Sequence, residues 1–386
     1  MAQAGHPQTG TDMEETVRVE LGSRSYPIHV GAGILRTVGP RLRETGTGSR
    51  TAVVTNPTVG WLYAEPVRRS LEEAGFTPVV IEVPDGEEHK NLGSLAHIYD
   101  ELIASRLDRG SALVALGGGV IGDVGGFAAA TFLRGIPLVQ VPTTLVAQVD
   151  ASVGGKTAIN HEAGKNLIGA FYQPRWVLAD VEVLRSLPRR ELVSGLAEVI
   201  KYAVILDAEF FDFLEEVLPH AIERDPDVLS RIVAVCCRLK AAVVSEDETE
   251  SGYRAVLNFG HTVGHAIEVL TDYTRYLHGE ALAVGMVFAA RLSESRGYCD
   301  RATVDRIRRL VERAGLPLEV PREIDAEALA GAIGTDKKTR EGAVKFVCVE
   351  EIGRTRFEYL VGRAIAEYLT MWRAGGGELA RQGILE

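Results

Sequence analysis

The chain has 386 residues, 46% hydrophobic and 25% charged, with a formal net charge of −11 at pH 7. That length exceeds what one hydrophobic core usually serves, so two domains are expected. The acidic balance argues against nucleic acid or an anionic membrane as partner, and an anionic substrate would need a local cluster of cations.

Residues 1–14 open with MAQAGHPQTGTDME, which has no apolar run and carries acidic residues, so they read as a disordered tail rather than a signal peptide. The segments TVRVEL, YPIHVGAGIL, TAVVT, PVVIEV, ALVAL, LVQVP and WVLAD then read as strands. PTVGWLYAEPVRRSLEEAG and NLGSLAHIYDELIASRL have helical spacing between them. That alternation predicts a Rossmann-like parallel sheet with crossover helices over residues 15–187. The longest apolar stretch, ALVALGGGVIGDVGGFAAA, is glycine-rich and interrupted by Asp123, which excludes a membrane span.

From Pro188 the pattern turns helical: RRELVSGLAEVIKYAVI, EFFDFLEEVLPHAIE, VLSRIVAVCCRLKAAVVSED, GHAIEVL, GEALAVGMVFAARLSESRG and ATVDRIRRLVERAG. Strand character returns only at AVKFVCVEE. A mainly α-helical C-terminal domain over residues 188–386 is expected, with the active site in the cleft between the two. Cys236, Cys237, Cys299 and Cys348 show no C-x-x-C spacing, which fits reduced thiols in a cytoplasmic protein.

Several stretches carry candidate chemistry. Gly117-x-Gly119-x-x-Gly122 follows a strand and opens a helix, the context in which backbone N–H groups meet a pyrophosphate. The acidic residue usual about twenty positions later is missing; Asp85 and Glu87 lie upstream instead, with Asp123 nearby. This fits a nucleotide site of unusual topology or a glycine-rich packing turn. In QVDASVGGKTAINHEAGKN the Gly-Lys-Thr is no P-loop, because Asp150 stands where the first glycine should be. Asp150, Lys156, Lys165 and Asn166 remain on a glycine-rich loop suited to orienting a phosphate, or simply solvated.

Glu198 and Lys201 are i,i+3 in SGLAEVIKYAVI among apolar residues, as a structural pair or beside a metal. RAVLNFGHTVGHAIE and LHGEALAVGM bring Glu250, Arg254, Asn258, His261, His265 and His278 into a short span. Two of these histidines with Glu198 would form a three-ligand site of the catalytic zinc type, leaving the third for acid–base or phosphate work. GTDKKTREG, with Lys337 and Lys338, reads alone as a surface turn.

Taken together, DGEEHK, GGGVIGDVGGFAAATFLRG, VPTTLVAQVDASVGGKTAINHEAGKNLIGAFYQP, SGLAEVIKY, RAVLNFGHTVGHAIE, LHGEALAVGM and DKK resemble the 3-dehydroquinate synthase family of sugar phosphate cyclases. The resemblance is collinear from about Val17 to Leu360 and departs slightly at TDYTRYLHGE and ASVGGKT. It implies Glu198, His261 and His278 as ligands of zinc or cobalt. It places NAD against Asp85, Gly86, Glu87, Glu88, His89, Lys90, Gly119, Val120, Ile121, Gly122, Asp123, Thr143 and Thr144, with Lys156 and Lys165 at cofactor or substrate. A phosphate pocket of Lys156, Asn166, Asn258, His265 and one of Lys337 and Lys338 is implied, reached by Arg134 from the partner of a homodimer. Lys240 and Arg254 would hold a carboxylate, Asp150, Glu198 and Lys201 would surround the reacting hydroxyls, and Glu250 would hold ordered water.

The implied reaction converts 3-deoxy-D-arabino-heptulosonate 7-phosphate to 3-dehydroquinate and phosphate, with NAD taking a hydride and returning it. Inosose- or valiolone-forming cyclases share the fold, but their substrates lack the carboxylate that Lys240 and Arg254 would bind. A polyol or glycerol-phosphate dehydrogenase of related architecture would release NADH. A non-catalytic ligand-binding relative should have lost a metal ligand or a lysine, and none is lost.

Overall fold

A computed structural model describes residues 14–334, 339–340 and 343–373. Lys337 and Lys338 lie outside the described residues. A seven-stranded sheet dominates the first half, in the order β1-β2-β9-β6-β5-β3-β4. Its strands are β1 (Glu15–Val19), β2 (Tyr26–Gly31), β3 (Arg50–Thr55), β4 (Thr77–Glu82), β5 (Ala112–Gly117), β6 (Leu138–Pro142) and β9 (Trp176–Asp180). Only β1 runs antiparallel to its neighbour; all other pairings are parallel.

β5, β6 and β9 are buried along their whole length. Helices cover both faces, which is why these strands read as continuous apolar runs rather than alternating ones. α1 (Val38–Glu44), α2 (Pro57–Val59) and α3 (Glu65–Glu73), the last two joined by a π-helical stretch at Gly60–Ala64, lie on one side. α4 (Leu92–Ala104) and α5 (Gly119–Thr131) lie on the other. The chain leaves β3 outward to the edge strand β4 and then returns to β5 on the other side of β3. This reversal opens a crevice at the carboxyl ends of β3 and β5, where open α/β sheets bind ligands.

Lys156–Asn166, expected as a loop, instead belongs to a hairpin of β7 (Lys156–His161) and β8 (Gly164–Phe171). Its glycines and polar residues mask the pairing in sequence; only Thr157 and Ile159 are buried on β7. The hairpin leans on α5, where a Cβ on Gly126 would come within 2.5 Å of Thr157 Cγ2.

The second half contains α6 (Arg189–Leu206), α7 (Ala208–Ile222), α8 (Pro226–Glu246), α9 (His261–Leu270), α10 (His278–Ser295), α11 (Arg301–Arg313) and α12 (Ala326–Gly334). A small sheet of β10 (Thr339–Arg340), β11 (Ala343–Glu351) and β12 (Arg354–Val361), then α13 (Gly362–Arg373), complete it. The largest apolar cluster crosses between the halves: Val17, Val19, Ile28 and Val30 of β1 and β2 join residues of α6, α8 and α10. Among the described residues, no helix is long and apolar enough to cross a membrane.

Candidate active site

α6, α9 and α10 meet at their polar residues. His261 and His278 are the first residues of α9 and α10, and Glu198 projects from the middle of α6. Close packing makes this possible. A Cβ on Gly279 would sit 1.9 Å from Ser194 O of α6, so glycine lets α10 start against that helix. Gly260, at φ +78°, turns the chain into α9, and a Cβ there would sit 2.8 Å from Met286 N.

His278 Nε2 lies 3.2 Å and His261 Nε2 3.5 Å from Glu198 Oε1. Each ring has its other nitrogen engaged: His278 Nδ1 is 3.4 Å from Glu268 Oε2, and His261 Nδ1 is 3.2 Å from Phe259 O. Lys201 Nζ pairs with Glu198 Oε2 at 2.6 Å, both side chains almost fully buried, yet Oε2 makes no hydrogen bond of good geometry. Burial opposes the Glu198 charge, but Lys201 and the two imidazoles hold its carboxyl well below the usual range. Burial, then Lys201, pushes His261 down. His278 loses to burial less than it gains from Glu198 and Glu268, which lift it to about 10. His265, one turn along α9, brings its ring centroid within 5.2 Å of His261 and 6.0 Å of His278.

A second cluster stands beside the first. Asp150, in the π-helical turn Ala147–Ala151 after β6, accepts from Tyr202 Oη at 2.6 Å and Lys240 Nζ at 2.8 Å. Despite burial, Lys240 holds its carboxyl far below the usual range. Burial in turn lowers Lys240 to about 8, against the pull of Asp150. Arg254 is 1% exposed and donates to the carbonyls of Gly154 and Glu248. Its Nε has no hydrogen-bond partner, and among the described residues no carboxylate lies within ion-pair distance of it. A buried guanidinium facing only neutral carbonyls is costly, and an anion would compensate it. Glu250, at φ +59°, pairs with Lys156 and accepts from Asn258 Nδ2 at 2.9 Å.

Along the sheet edge, the segment after β4 and the start of α5 flank the end of β3. Asp85 accepts from Thr58 Oγ1 at 3.0 Å; Gly86, at φ +113°, leads into a single turn, Glu87–His89, that includes Glu88. Glu87 accepts from Asn160 Nδ2 at 2.8 Å and lies 3.9 Å from Lys165 Nζ. Buried Lys90 bridges Asp123 Oδ2 and Asn166 Oδ1, each at 2.5 Å. Burial raises the Asp123 carboxyl. Gly118 caps α5 in an extended conformation, so Gly119, Val120, Ile121 and Gly122 form its first turn. A Cβ on Gly119 would meet only Ala151 Cβ, at 3.5 Å. Thr143 Oγ1 is buried without a partner, and Thr144 Oγ1 accepts from Ala147 N. Arg134 lies apart on an exposed turn at φ +68°.

Sequence reasoning missed Glu268 and Tyr202. Glu268 was detectable as the i+7 companion of His261 on one helix face. Tyr202 follows Lys201 directly, and nothing in a buried apolar helix marks its hydroxyl for Asp150. The whole arrangement offers a buried N2O donor set, cations for two anionic groups and a helix N-terminus at a sheet crevice.

Residues 80–194 match the family described as 3-dehydroquinate synthase N-terminal, and residues 195–339 that described as 3-dehydroquinate synthase C-terminal. A 3-dehydroquinate synthase from Pelobacter propionicus is 57% identical over 335 residues, covering 87% of this chain and 93% of the relative. A 2-deoxy-scyllo-inosose synthase complexed with carbaglucose-6-phosphate, NAD+ and Co2+ superposes with a TM-score of 0.84 at 28% identity, covering 92% of this chain and 99% of the other. A 2-epi-5-epi-valiolone synthase from Streptomyces hygroscopicus subsp. jinggangensis, with NAD+ and Zn2+ bound, gives 0.83 at 26% identity, covering 92% and 98%.

Proposed function

The chain belongs to the 3-dehydroquinate synthase family, and from that membership we propose how its residues serve the reaction. It is a 3-dehydroquinate synthase, acting as a phosphate-eliminating lyase that uses bound NAD and a divalent cation. The observation that carries this reading is the convergence of Glu198, His261 and His278 beside the buried cations Lys201, Lys240 and Arg254.

The donor set fits zinc or cobalt: one buried carboxylate whose Oε1 faces both imidazole Nε2 atoms, and two imidazoles whose Nδ1 atoms are already occupied. When bound, such a cation polarises neighbouring hydroxyl and carbonyl oxygens. The first turn of α5 fits a nicotinamide dinucleotide, because the glycine at 119 leaves its backbone bare, with only Ala151 Cβ within contact of a Cβ there, and Thr143 keeps an unpaired hydroxyl nearby. When bound, NAD accepts a hydride and returns it. Asp85 to Lys90, Gly119 to Asp123, Thr143, Thr144 and Lys165 would line that cofactor.

The protein's own task is chiefly to hold two anionic ends. Lys240 and Arg254 take the substrate carboxylate, which supplies the countercharge that Arg254 lacks. Lys156, Asn166, Asn258 and His265, with Lys337 or Lys338, take the phosphate. Fixing both ends aligns the carbon skeleton without a strong base at every step. Asp150 and Lys201 handle hydroxyl protons, Glu250 holds ordered water, and the departing phosphate accepts the C6 proton.

We further assign residues 15–187 to cofactor binding and 188–386 to metal and substrate; the two family segments meet within α6, which supports this division. A cytoplasmic homodimer completes the reading. Free cysteines support a reducing compartment, and exposed Arg134 on its left-handed turn is suited to reach a partner's phosphate pocket.

Purified protein given 3-deoxy-D-arabino-heptulosonate 7-phosphate should release phosphate without net NADH, and a chelator should stop it. No release in the presence of NAD and metal would overturn the assignment. Net NADH production would point to a dehydrogenase.

A further inference from the structure

Glu268 has no part in the reaction outlined above, yet it is buried, 7% exposed, against the candidate cation centre. It lies seven residues after His261 and three after His265 on α9, so all three share one helix face. Its Oε2 is 3.4 Å from His278 Nδ1, while His278 Nε2 is 3.2 Å from Glu198 Oε1. The imidazole thus stands between two buried carboxylates. Donor atoms of His265, Glu268 and His278 also lie within 4.8 Å of one another.

A neutral imidazole carries one N–H, and the partner of one nitrogen decides what the other can do. When a cation displaces the Nε2 proton, Nδ1–H stays with Glu268 and the Nε2 lone pair is left to face the cation beside Glu198. We propose that Glu268 is a positioning residue that fixes the tautomer and orientation of His278 and thereby sets cation affinity. The carboxylate also makes the imidazole a better donor, because its charge lies along the N–H bond. His265 is left for the substrate side. This rests on the cation site assigned above. The same geometry admits a rival, a second ion held directly by His265, Glu268 and His278, and stoichiometry separates the two.

The test uses the full-length chain, stripped of metal and titrated with Co2+ by visible absorption and chelator competition. Wild type should bind one Co2+ per chain at this centre. Glu268→Gln, which keeps the shape and loses the charge, should bind it about 10- to 100-fold more weakly. Excess Co2+ should then restore much of the turnover, an effect that a merely structural defect would not show. His265→Asn should hold Co2+ within about twofold of wild type while raising KM.

Equal affinity in Glu268→Gln and wild type would overturn the inference. So would two Co2+ per wild-type chain falling to one in Glu268→Gln, or an equal loss in His265→Asn. If Glu268→Gln does not fold, Glu268→Asp carries the test: its charge sits farther from Nδ1, so several-fold weaker binding is expected and unchanged binding refutes the role. Absence of Co2+ binding by wild type would remove the cation site itself, and this inference with it.

Discussion

The sheet edge and the helical centre are built differently. At the carboxyl ends of β3 and β5, contacts come from a helix N-terminus, small residues and partly exposed polar pairs such as Asp85–Thr58 and Glu87–Lys165. Among α6, α8, α9 and α10, they come from side chains out of water; Glu198, Lys201, Lys240 and Arg254 are each below 5% exposed. A sheet crevice suits a long ligand held along its contour. A dry cluster suits the reacting atoms, because fixed charges act more strongly where water is excluded.

The sharpest way to break this contrast is to remove one side chain from the helical centre. His261→Ala should abolish cation retention and reduce turnover by about 10³-fold or more, given the several kcal/mol a metal supplies to charge stabilisation. NAD binding, measured by fluorescence, should stay near wild type. Full turnover in a protein shown to lack metal would refute the ligand assignment. Gly119→Val makes the reciprocal test. A Cβ at this position meets only Ala151 Cβ, at an ordinary contact distance of 3.5 Å, so the fold should tolerate the change, while the new side chain blocks backbone approach to a pyrophosphate. NAD affinity should fall about 10- to 100-fold, the order of one to three kcal/mol of lost hydrogen bonds to a charged group, with Co2+ affinity unchanged. Unaltered NAD binding would make the turn a packing device only.

The same contrast explains what was legible in the sequence. The strands β1 to β6 and β9, and helices α6 to α11, followed from apolar periodicity, because burial on one face or both leaves a regular pattern. The β7–β8 hairpin did not, since no residue of β8 is fully buried and its stability comes from packing of the hairpin on α5, a distant segment. Site residues were visible where they stood in dense polar motifs. Tyr202 was not, because its role depends on Asp150 arriving from another element; Glu268 shares a helix face with His261, but its role shows only once His278 arrives from α10. The small sheet formed by β11 and β12 was half visible, with only its first strand apolar enough to show.

Lys240 ties the helical centre to pH. Burial lowers its ammonium to about 8, so the free protein loses that positive charge as pH rises through this value. If Lys240 grips the substrate carboxylate, kcat/KM should fall above pH 8, approaching tenfold per unit. Bound anion would favour the charged form, so kcat should bend at higher pH than kcat/KM. Lys240→Met should be weaker throughout and lack the inflection near 8. An unshifted alkaline limb in that variant would assign the titration elsewhere.

The smallest effect expected lies in the loop that follows α8 and leads toward α9. Asp247 accepts from the backbone N–H groups of Ser251 at 2.9 Å, Gly252 at 2.8 Å and Arg254 at 3.0 Å. Against partial burial, these donors hold its carboxyl down to about 2. Being depressed, its contribution is complete above the ordinary carboxylate range and is lost as pH falls from that range through about 2. The loop it ties down carries Glu250 in a left-handed conformation and ends at Arg254. Asp247→Ala should therefore cost about 1 kcal/mol of stability, the net worth of a hydrogen bond or two at a half-exposed site. KM should rise a few-fold through looser placement of Arg254, with Co2+ and NAD affinities unchanged. A thermal midpoint that drops with no change in KM would show that the loop keeps its shape without Asp247, and that burial of Arg254 alone fixes the carboxylate pocket.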